Sequence, residues 1–326
     1  MNDFISIIIP NRNGSVTIGR CLESIFSSDY DRFEVIVIDD CSDDESIEII
    51  QKFPCRLIRL DKHSGASKAR NAGALVSRGQ DLFFTDADCL MERNTLSILS
   101  TTMAGQGPDT IIGGTYTRIP QDPGFFSLFQ SVFINYFETK HAGNPDYVAT
   151  HALAINAGTF RKSGGFPEDF LPIIEDVEFS HRLRRAGYRL VMDPAIQVRH
   201  IFNFTFRSSL RNALKKPRYW TQYSLANKDL LVDSGTASRE LKVNVLSCFF
   251  CLVFLGLWLF ARQSPFLYSL PMIISANIFA NRLLIRAFSD TKGTFFAFFA
   301  SIYYTTLYAF AVGVGAMLGM AEYFIK

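Results

Sequence analysis

The sequence has very little charge near its C-terminus. Asp, Glu, Lys and Arg make up 57 of the first 242 residues but only 7 of the last 84. Because a domain with so few charges is difficult to keep in water, this distribution argues against a wholly soluble enzyme. The formal net charge of the whole chain is only +2, which gives no reason to expect a nucleic-acid partner.

Signatures of several other protein classes are missing. There is no GxxxxGK[ST] phosphate loop and no GxGxxG after the first predicted strand, which argues against an ATPase and a nicotinamide dehydrogenase. The first four cysteines occur singly, a spacing that predicts neither a zinc site nor a disulfide framework. Cys248 and Cys251 lie in an apolar run and are interpreted as packed or lipid-facing thiols. No signal peptide pattern precedes Phe4–Ile9, so we expect a cytoplasmic first domain.

Within the first 103 residues, short apolar runs alternate with helical patterns four times. The predicted strands are Phe4–Ile9, Phe33–Ile38, Arg56–Leu60 and Asp81–Thr85, and the predicted helices are Ser15–Ser28, Asp43–Lys52, Ala66–Ser77 and Glu92–Met103. This alternation predicts an α/β fold, Rossmann-like, with a mostly parallel central sheet. In such sheets, ligands bind beyond the carboxyl ends of the strands.

The later part of this domain is less regular. A strand is predicted over Thr110–Tyr116, an aromatic-rich helix or loop over Phe125–Phe137, a helix over Val177–Ala186 and a strand over Tyr188–Met192. The catalytic domain is therefore predicted to span residues 1–201.

Two acidic motifs follow predicted strands. Asp86-Ala87-Asp88 follows one strand, and its two carboxylates could hold a divalent cation such as Mg²⁺ or Mn²⁺. Asp40 follows another, where a carboxylate could accept a hydrogen bond from a base N–H or a ribose hydroxyl. The alternative interpretations are a chance surface turn for the first motif and a helix cap for the second.

Two further segments carry candidate site residues. Gly65 precedes a helix with Lys68 and Arg70 near its start, an arrangement suited to a diphosphate, although Arg70 could instead brace the cleft. Glu175-Asp176 lies at a loop–helix junction, where a carboxylate could deprotonate an acceptor hydroxyl or simply suit the helix dipole. His200 is either a metal ligand or a structural histidine.

Taken together, these segments resemble the family 2 glycosyltransferases, which have the GT-A fold. The matching residues, in chain order, are Ile7 to Pro10 with Asn13, Val35 to Ser42, Gly65, Ala69 to Gly73, Asp86 to Asp88, Gly164 to Phe166, Glu175 to Glu178, Arg182-Leu183 and Gly187-Tyr188. They occur in the family's order over roughly residues 4–200.

The resemblance implies transfer of a sugar from a nucleotide diphosphate donor with inversion at the anomeric carbon. It implies that the donor pocket contains Pro10, Asn13, Asp40, Gly65, Arg70 and Asp86. Asp88, with Asp86 and His200, would hold Mg²⁺ or Mn²⁺. Asp176 would be the catalytic base, with Glu175 beside it.

Two departures from the family pattern limit what the resemblance implies about donor binding and about the type of transfer. Arg12 stands where an aromatic residue is common, which leaves base stacking there in question. The QxxRW motif of processive polysaccharide synthases is absent, so transfer of one sugar is expected rather than chain synthesis.

The C-terminal part is predicted to be an all-α transmembrane region. Residues 202–242 form a predicted amphipathic membrane-interface segment, in which Arg207, Arg211 and Lys215 repeat every four residues. Residues 243–326 contain three predicted transmembrane helices: Val243–Ala261, Phe266–Ala280 extended to Phe288, and Phe295–Ala321, with two helices as the alternative. Gly315 and Gly319 form a small-xxx-small pair, and association of copies through these helices is left open.

The leading hypothesis is a glycosyltransferase anchored in the inner or cytoplasmic membrane, with its catalytic domain in the cytoplasm. Its partners would be membrane lipids, a nucleotide-diphosphate sugar, with UDP as the favoured nucleotide, and a lipid-linked or cell-surface glycan acceptor. The alternatives are a polyprenyl-phosphate sugar synthase, a non-catalytic membrane scaffold with a retained nucleotide-binding fold, and a transporter. Too much of the chain precedes the first predicted span to favour the transporter.

Overall fold

The computed structural model describes residues 4–122, 124–169, 171–262 and 264–325. Its contacts divide the chain into two units. The sheet unit contains residues 4–122 and 138–203, and the helical unit contains residues 124–137 and 204–325. The predicted boundaries placed residues 124–137 in the first domain, whereas in the structure this aromatic-rich segment belongs to the helical unit.

The sheet unit is built on one mixed sheet. Its strands are β1 (Ile5–Asn11), β2 (Phe33–Asp39), β3 (Arg56–Arg59), β4 (Asp81–Phe84), β5 (Cys89–Met91), β6 (Thr110–Tyr116), β7 (Leu153–Asn156) and β8 (Arg189–His200). Their order across the sheet is β3-β2-β1-β4-β7-β6-β8-β5. The first four are parallel, β7 is antiparallel to both of its neighbours, and β5 is antiparallel to β8.

Helices connect these strands. They are α1 (Ile18–Phe26), α2 (Ser46–Ile50), α3 (Ala66–Val76), α4 (Thr95–Ala104), α5 (Phe125–Thr139), α6 (Ala157–Ser163) and α7 (Glu175–Arg185). The fold follows from apolar periodicity: α1 buries Ile18, Cys21, Leu22 and Ile25, which recur at helical spacing. Strand β1 is buried along almost its whole length, as expected for a strand covered on both faces.

The four strand–helix repeats predicted near the N-terminus are present with boundaries shifted by a few residues. The short elements β5, β7 and α6 were not predicted, because three to seven residues carry too little periodicity. The last predicted strand was too short, since β8 continues from Arg189 through Pro194 to His200.

The sheet brings polar residues to one edge. Asn11 pairs with Asp39 in register, and the Asp40 N–H donates to the carbonyl of Asn11 over 2.8 Å. The Thr85 N–H donates to the carbonyl of Ile8 over 3.2 Å. The carboxyl ends of β1, β2 and β4 therefore meet, as predicted for parallel strands.

The helical unit contains five further helices and one π-helical turn among its described residues. They are α8 (Phe206–Asn227), α9 (Arg239–Ala261), α10 (Ser264–Ala280), α11 (Arg282–Tyr303), the turn Tyr304–Tyr308, and α12 (Ala309–Ile325). Helix α10 ends at Ala280 and a new helix begins at Arg282, so the predicted continuation of this helix to Phe288 is wrong. Lys292 and Gly293 have non-helical dihedral angles and break α11.

By length and composition, two helical stretches could cross a membrane. They are Arg239–Phe260 and Arg282–Ile325, while Pro265–Ala280 is apolar but shorter. Only 11% of the most apolar window in the first stretch is buried within the protein, so its apolar side chains face outward. That the chain spans a membrane, with two or three helices, stays a prediction.

Helices α8 and α12 cross closely. A Cβ added at Gly315 would overlap the carbonyl of Leu214, and one added at Gly319 would overlap the carbonyl of Arg218. Arg218 also pairs with Glu322, with its Nε 2.8 Å from Oε2. The small-xxx-small pair is thus used within one chain, so it is not available for joining two copies. Helix α8 itself continues through Pro217, ten residues beyond that proline.

Four polar side chains form a buried network between the helices. Asn277 Nδ2 donates to Asn244 Oδ1 over 2.9 Å, and Asn281 Nδ2 donates to Asn277 Oδ1 over 2.7 Å. The Tyr304 hydroxyl donates to Asn281 Oδ1 over 3.1 Å. Asn244 Nδ2 closes the network on the backbone carbonyl of Tyr304 over 2.8 Å, at the start of the π-helical turn. Aromatic residues surround it, with Phe129 stacked on Phe288.

Candidate active site

Asp86 and Asp88 lie in the loop between β4 and β5. The preceding Thr85 is fully buried, and its hydroxyl donates to the carbonyl of His151 over 2.9 Å, which ties this loop to the segment before β7. The side chains of Asp86 and Asp88 are 31% and 42% exposed, so solvent reaches both carboxylates.

Arg70 connects two of the predicted site motifs. Its Nη2 lies 2.7 Å from Asp86 Oδ1, and its Nη1 lies 2.6 Å from Glu175 Oε1. Burial alone would lower the pKa of this guanidinium, but the two carboxylates raise it above its usual value. Burial likewise would raise the pKa of Asp86, yet the charge of Arg70 holds that pKa below its usual value.

This geometry bears on the role of Arg70. The residue is only 3% exposed, and each of its terminal nitrogens lies within hydrogen-bond distance of a carboxylate. Of the two roles considered from the sequence, the structure favours the brace.

Asp88 lies beside His200 and Cys89. His200 Nε2 is 3.4 Å from Asp88 Oδ2, and the donor atoms of all three residues lie within 4.8 Å of one another. Burial, together with the negative charge of Asp86, raises the pKa of Asp88 to about 7. The carboxylates of Asp86 and Asp88 therefore repel each other when both are charged, and Arg70 contacts Asp86 but does not offset this repulsion at Asp88.

The second cluster forms around Asp40, which is only 4% exposed. Its Oδ1 accepts from the Ser64 N–H over 2.6 Å, and its Oδ2 accepts from the Gly65 N–H over 2.8 Å. Gly65 has φ +88, a left-handed conformation that favours glycine. Asp40 therefore holds the turn that starts α3, in addition to any contact with a ligand.

Arg12 occupies the position where an aromatic residue was expected, and it pairs with a histidine. Arg12 Nη1 lies 2.6 Å from His63 Nε2, and His63 Nδ1 lies 2.7 Å from Asp40 Oδ2. Because arginine only donates, His63 Nε2 must accept and Nδ1 must carry the proton. The link between His63 and Arg12 was not predicted from the sequence.

The loop after β1 joins the two clusters. Asn13 has φ +52, and its Oδ1 accepts from the Asp43 N–H over 2.9 Å. Pro10 is half-buried within β1, opposite Ile38. A Cβ built on Gly14 would lie 3.7 Å from Ala87, so this loop reaches the Asp86–Asp88 loop.

Glu175 and Asp176 open α7, as the sequence predicted. Glu175 is engaged by Arg70, whereas Asp176 is half-buried and its Oδ1 accepts from the Val177 N–H over 2.9 Å. The preceding loop is braced by Asn71, whose amide donates to the carbonyl of Phe166 and accepts from the Phe166 N–H, both at 2.9 Å. The two carboxylates thus have different surroundings.

A buried histidine near the site was missed in the sequence. His151 is 6% exposed, its ring stacks on Tyr116 at 3.9 Å, and its Nε2 lies 3.4 Å from Glu138 Oε2. Burial alone would lower the pKa of His151, but Glu138, Asp86 and Asp176 raise it. A single histidine with no other ligand-type residue beside it carries no spacing signal, so only the fold could reveal it.

The residues present fit a divalent cation. Asp88 supplies a carboxylate whose pKa is raised by burial and by the charge of Asp86, and His200 supplies a ring nitrogen beside it. Oxygen and imidazole donors suit Mn²⁺, and an oxygen-rich set with waters suits Mg²⁺. Asp86 is the weaker donor, because Arg70 already occupies one of its oxygens.

Comparisons with known proteins show what the chain resembles. Residues 6–163, just under half of the chain, match the family described as glycosyl transferase family 2. Glycosyltransferase AglE of Haloferax volcanii is 29% identical over 194 residues, which cover 57% of this chain and 63% of that protein. The chain spans less than two thirds of the length of the first relatives that it matches.

Solved structures share the fold over nearly the whole chain. The mannosyltransferase PcManGT from Pyrobaculum calidifontis, in complex with GDP-Man and Mn²⁺, has a TM-score of 0.60 at 16% identity and covers 99% of this chain and 88% of its own. Residues 1–349 of S. aureus TarS, in complex with UDP-GlcNAc, have a TM-score of 0.50 at 17% identity, covering 98% and 92%. The predicted α/β fold of the GT-A type, followed by a helical region, is confirmed.

Proposed function

We propose that this chain is an inverting glycosyltransferase. It would move a sugar from a nucleotide-diphosphate donor to a hydroxyl of a lipid-linked or cell-surface glycan at the cytoplasmic membrane face. The observation that carries this proposal is the ion-pair bridge from Asp86 through Arg70 to Glu175. It connects the acidic loop after β4, suited to a donor diphosphate, with the carboxylates at the start of α7.

The residues would divide the chemistry as follows. Asp176 removes the proton from the acceptor hydroxyl as that oxygen attacks the face of the sugar opposite the leaving diphosphate. Arg70 fixes Glu175, and thereby the start of α7, relative to Asp86. Asp88 and His200 would hold a divalent cation, which would supply positive charge against the negative charge of the leaving diphosphate.

The donor pocket is proposed around Pro10, Asn13, Asp40 and Gly65. Asp40 already accepts from the Ser64 and Gly65 N–H groups and from His63 Nδ1, which leaves lone-pair capacity for a further donor such as a base N–H. We keep UDP as the favoured nucleotide on this ground. The fold neighbours carry either GDP-Man or UDP-GlcNAc, which supports a nucleotide sugar without choosing the base.

The membrane location is proposed from the helical unit. Helix α9 exposes apolar side chains, among them Phe250 (52%) and Phe260 (91%), as a helix in contact with lipid would. Arg207, Arg211 and Lys215 are all exposed along α8 and are suited to anionic headgroups. An enzyme held at a bilayer has ready access to acceptors carried on lipids.

The test is an activity assay on the full chain in detergent or vesicles. Supplied with Mn²⁺, a panel of nucleotide sugars and lipid-linked acceptors, the protein should release nucleoside diphosphate and form a glycoside. Asp88→Asn and Asp176→Asn should each abolish transfer, whereas Asp31→Asn, at an exposed aspartate far from these motifs in sequence, should not. Full activity in Asp176→Asn would refute the base assignment, and a product labile to mild acid would indicate a glycosyl phosphate instead.

A further inference from the structure

Three side chains with different donor atoms meet where β5 lies beside β8. They are the carboxylate of Asp88, the thiol of Cys89 and the imidazole of His200. Cys89 Sγ lies 3.8 Å from Asp88 Oδ1, and His200 Nε2 lies 3.4 Å from Asp88 Oδ2. The roles assigned above use the oxygen and the nitrogen but leave the sulfur without a function.

The position of the sulfur is fixed by the backbone. Cys89 pairs directly opposite His200 in the antiparallel ladder of β5 and β8. Residues directly opposite in such a ladder project their side chains to the same face of the sheet. Cys89 is fully buried while the Asp88 side chain is 42% exposed, so the thiol lies on the inner side of the three donors.

We propose that Cys89 is a metal ligand, and that Asp88, Cys89 and His200 form a site that prefers thiophilic divalent cations such as Zn²⁺ over Mg²⁺. The proposal rests on the proposed function for the location of the metal in the cleft. Mg²⁺ favours an octahedral set of oxygens, whereas a mixed set of sulfur, nitrogen and oxygen suits Zn²⁺ and related ions.

The distances are compatible with such a site after small side-chain movements. Bond lengths to tetrahedral Zn²⁺ of ~2.0 to 2.3 Å place neighbouring donors roughly 3.3 to 3.8 Å apart. The donors here lie within 4.8 Å of one another, so a contraction of about 1 Å is needed. Binding through sulfur replaces the thiol proton, which passes to the buffer.

The experiment uses Cd²⁺, a spectroscopic probe for thiophilic ions, with the full chain in detergent after treatment with a chelator. Cys41, Cys55, Cys248 and Cys251 are replaced by Ser, which leaves Cys21 and Cys89 as the remaining thiols. Cd²⁺ is titrated alone while the thiolate-to-metal charge-transfer absorption is recorded in the ultraviolet. Competition with a large excess of Mg²⁺ then measures the preference.

Cys21 provides the matched control. It is also fully buried, and its sulfur lies 3.6 Å from the carbonyl oxygen of Asp86, but it does not belong to the group of three donors. We expect one equivalent of Cd²⁺ to produce the band, Cys21→Ser to retain it, and Cys89→Ser to lose it and to bind Cd²⁺ at least about tenfold more weakly. Asp88→Asn should weaken binding while the thiol is still present.

Three results would overturn the proposal: no band in the background protein, an equal band in Cys89→Ser, or displacement of Cd²⁺ by Mg²⁺. Thermal unfolding in chelator identifies any variant that fails to fold, and Cys89→Ala replaces Cys89→Ser in that case. Measuring transfer with Mn²⁺ separates the two proposals. A band without transfer in the background protein refutes the proposed function alone, and transfer without a band refutes the sulfur ligand alone.

Discussion

The sheet unit and the helical unit both bury polar side chains, but they satisfy them by different means. In the sheet unit, Arg70 is 3% exposed and is balanced by the charges of Asp86 and Glu175. In the helical unit, Asn244, Asn277 and Asn281 are at most 5% exposed and form a network of neutral groups. A charge must be paired when it is buried, whereas amides need only hydrogen bonds.

This difference corresponds to what each unit is proposed to contact. A cleft that binds a diphosphate and a cation needs charges, and it opens to water that can solvate them. Helices proposed to face lipid have no such solvent, so charge there would be expensive, while neutral amides bonded to each other cost less. Each prediction below removes one of these polar or close-packed contacts.

The largest effect is expected from removing the buried cation. Arg70→Met leaves Asp86 and Glu175 without their shared partner and should lower the free energy of unfolding by ~3–5 kcal/mol, besides abolishing transfer. Arg70→Lys keeps the charge but cannot reach both carboxylates in the same geometry, so an intermediate loss is expected. Chemical denaturation followed by fluorescence would measure both.

Arg78 supplies the control for this prediction. Its side chain is 75% exposed, and its Nε lies 3.0 Å from Glu34 Oε2. Arg78→Met should cost less than about 1 kcal/mol, as expected for an exposed ion pair. If both methionine variants lost the same free energy of unfolding, the buried Arg70 ion pairs would contribute no more to stability than the exposed Arg78 ion pair.

Much of the sheet unit could be predicted because each strand and helix has its own local sequence pattern. The spacing of apolar residues indicates buried strands and amphipathic helices such as α1, and acidic residues at strand ends indicate the site. The neighbours of those residues were not predictable, because they come from distant positions. Cys89 lies beside His200 only through the pairing of β5 with β8, and β5 has only three residues.

In the helical unit, composition predicted helices but not their ends or partners. The predicted extension of the second helix ran across the break at Asn281, where α10 ends and α11 begins. Gly315 and Gly319 predicted a close helix crossing, yet nothing in the sequence indicates that α8 is the partner. Packing against a distant helix depends on tertiary geometry that hydropathy does not encode.

The second prediction concerns that close crossing. Gly315→Leu adds a side chain where the backbone of α8 already lies, so it should cost ~1–3 kcal/mol and loosen α8. Trp220 lies in α8, and in a Trp258→Phe background its fluorescence reports on that helix during thermal unfolding in detergent. Gly256→Leu in α9 is the control, because a Cβ there meets no atom within 4 Å.

The third prediction is a pH dependence in the sheet unit. The pKa of His151 is raised, chiefly by Glu138 acting against burial, so the folded protein holds this proton more tightly than the unfolded chain. The resulting stabilisation is fully present below about pH 6.5 and is lost as pH rises through the folded pKa. The stability difference between wild type and His151→Gln should thus shrink between pH 6 and pH 9, by about 1.4 kcal/mol for each unit of the shift.

Glu138→Gln tests the cause of this pH dependence. It removes the facing carboxylate while keeping its shape, so His151 should titrate lower and the pH-dependent part of its stabilisation should largely disappear. If the melting temperatures of wild type and His151→Gln change in parallel across this pH range, the pKa of His151 is not raised in the folded protein.

The smallest effect is expected in the neutral network of the helical unit, where a double-mutant cycle isolates one hydrogen bond. Asn244→Ala and Asn277→Ala each remove the 2.9 Å contact between them, so the double variant should lose less than the sum of the two singles. Apolar helical surroundings give couplings of about 0.6 kcal/mol, rarely above ~1.7. Pairing Asn244→Ala with Asn227→Ala, at an exposed end of α8, should give none. A coupling energy above ~3 kcal/mol between Asn244 and Asn277 would equal the loss of stability expected for Arg70→Met. Charged and neutral polar contacts would then stabilise the two units equally.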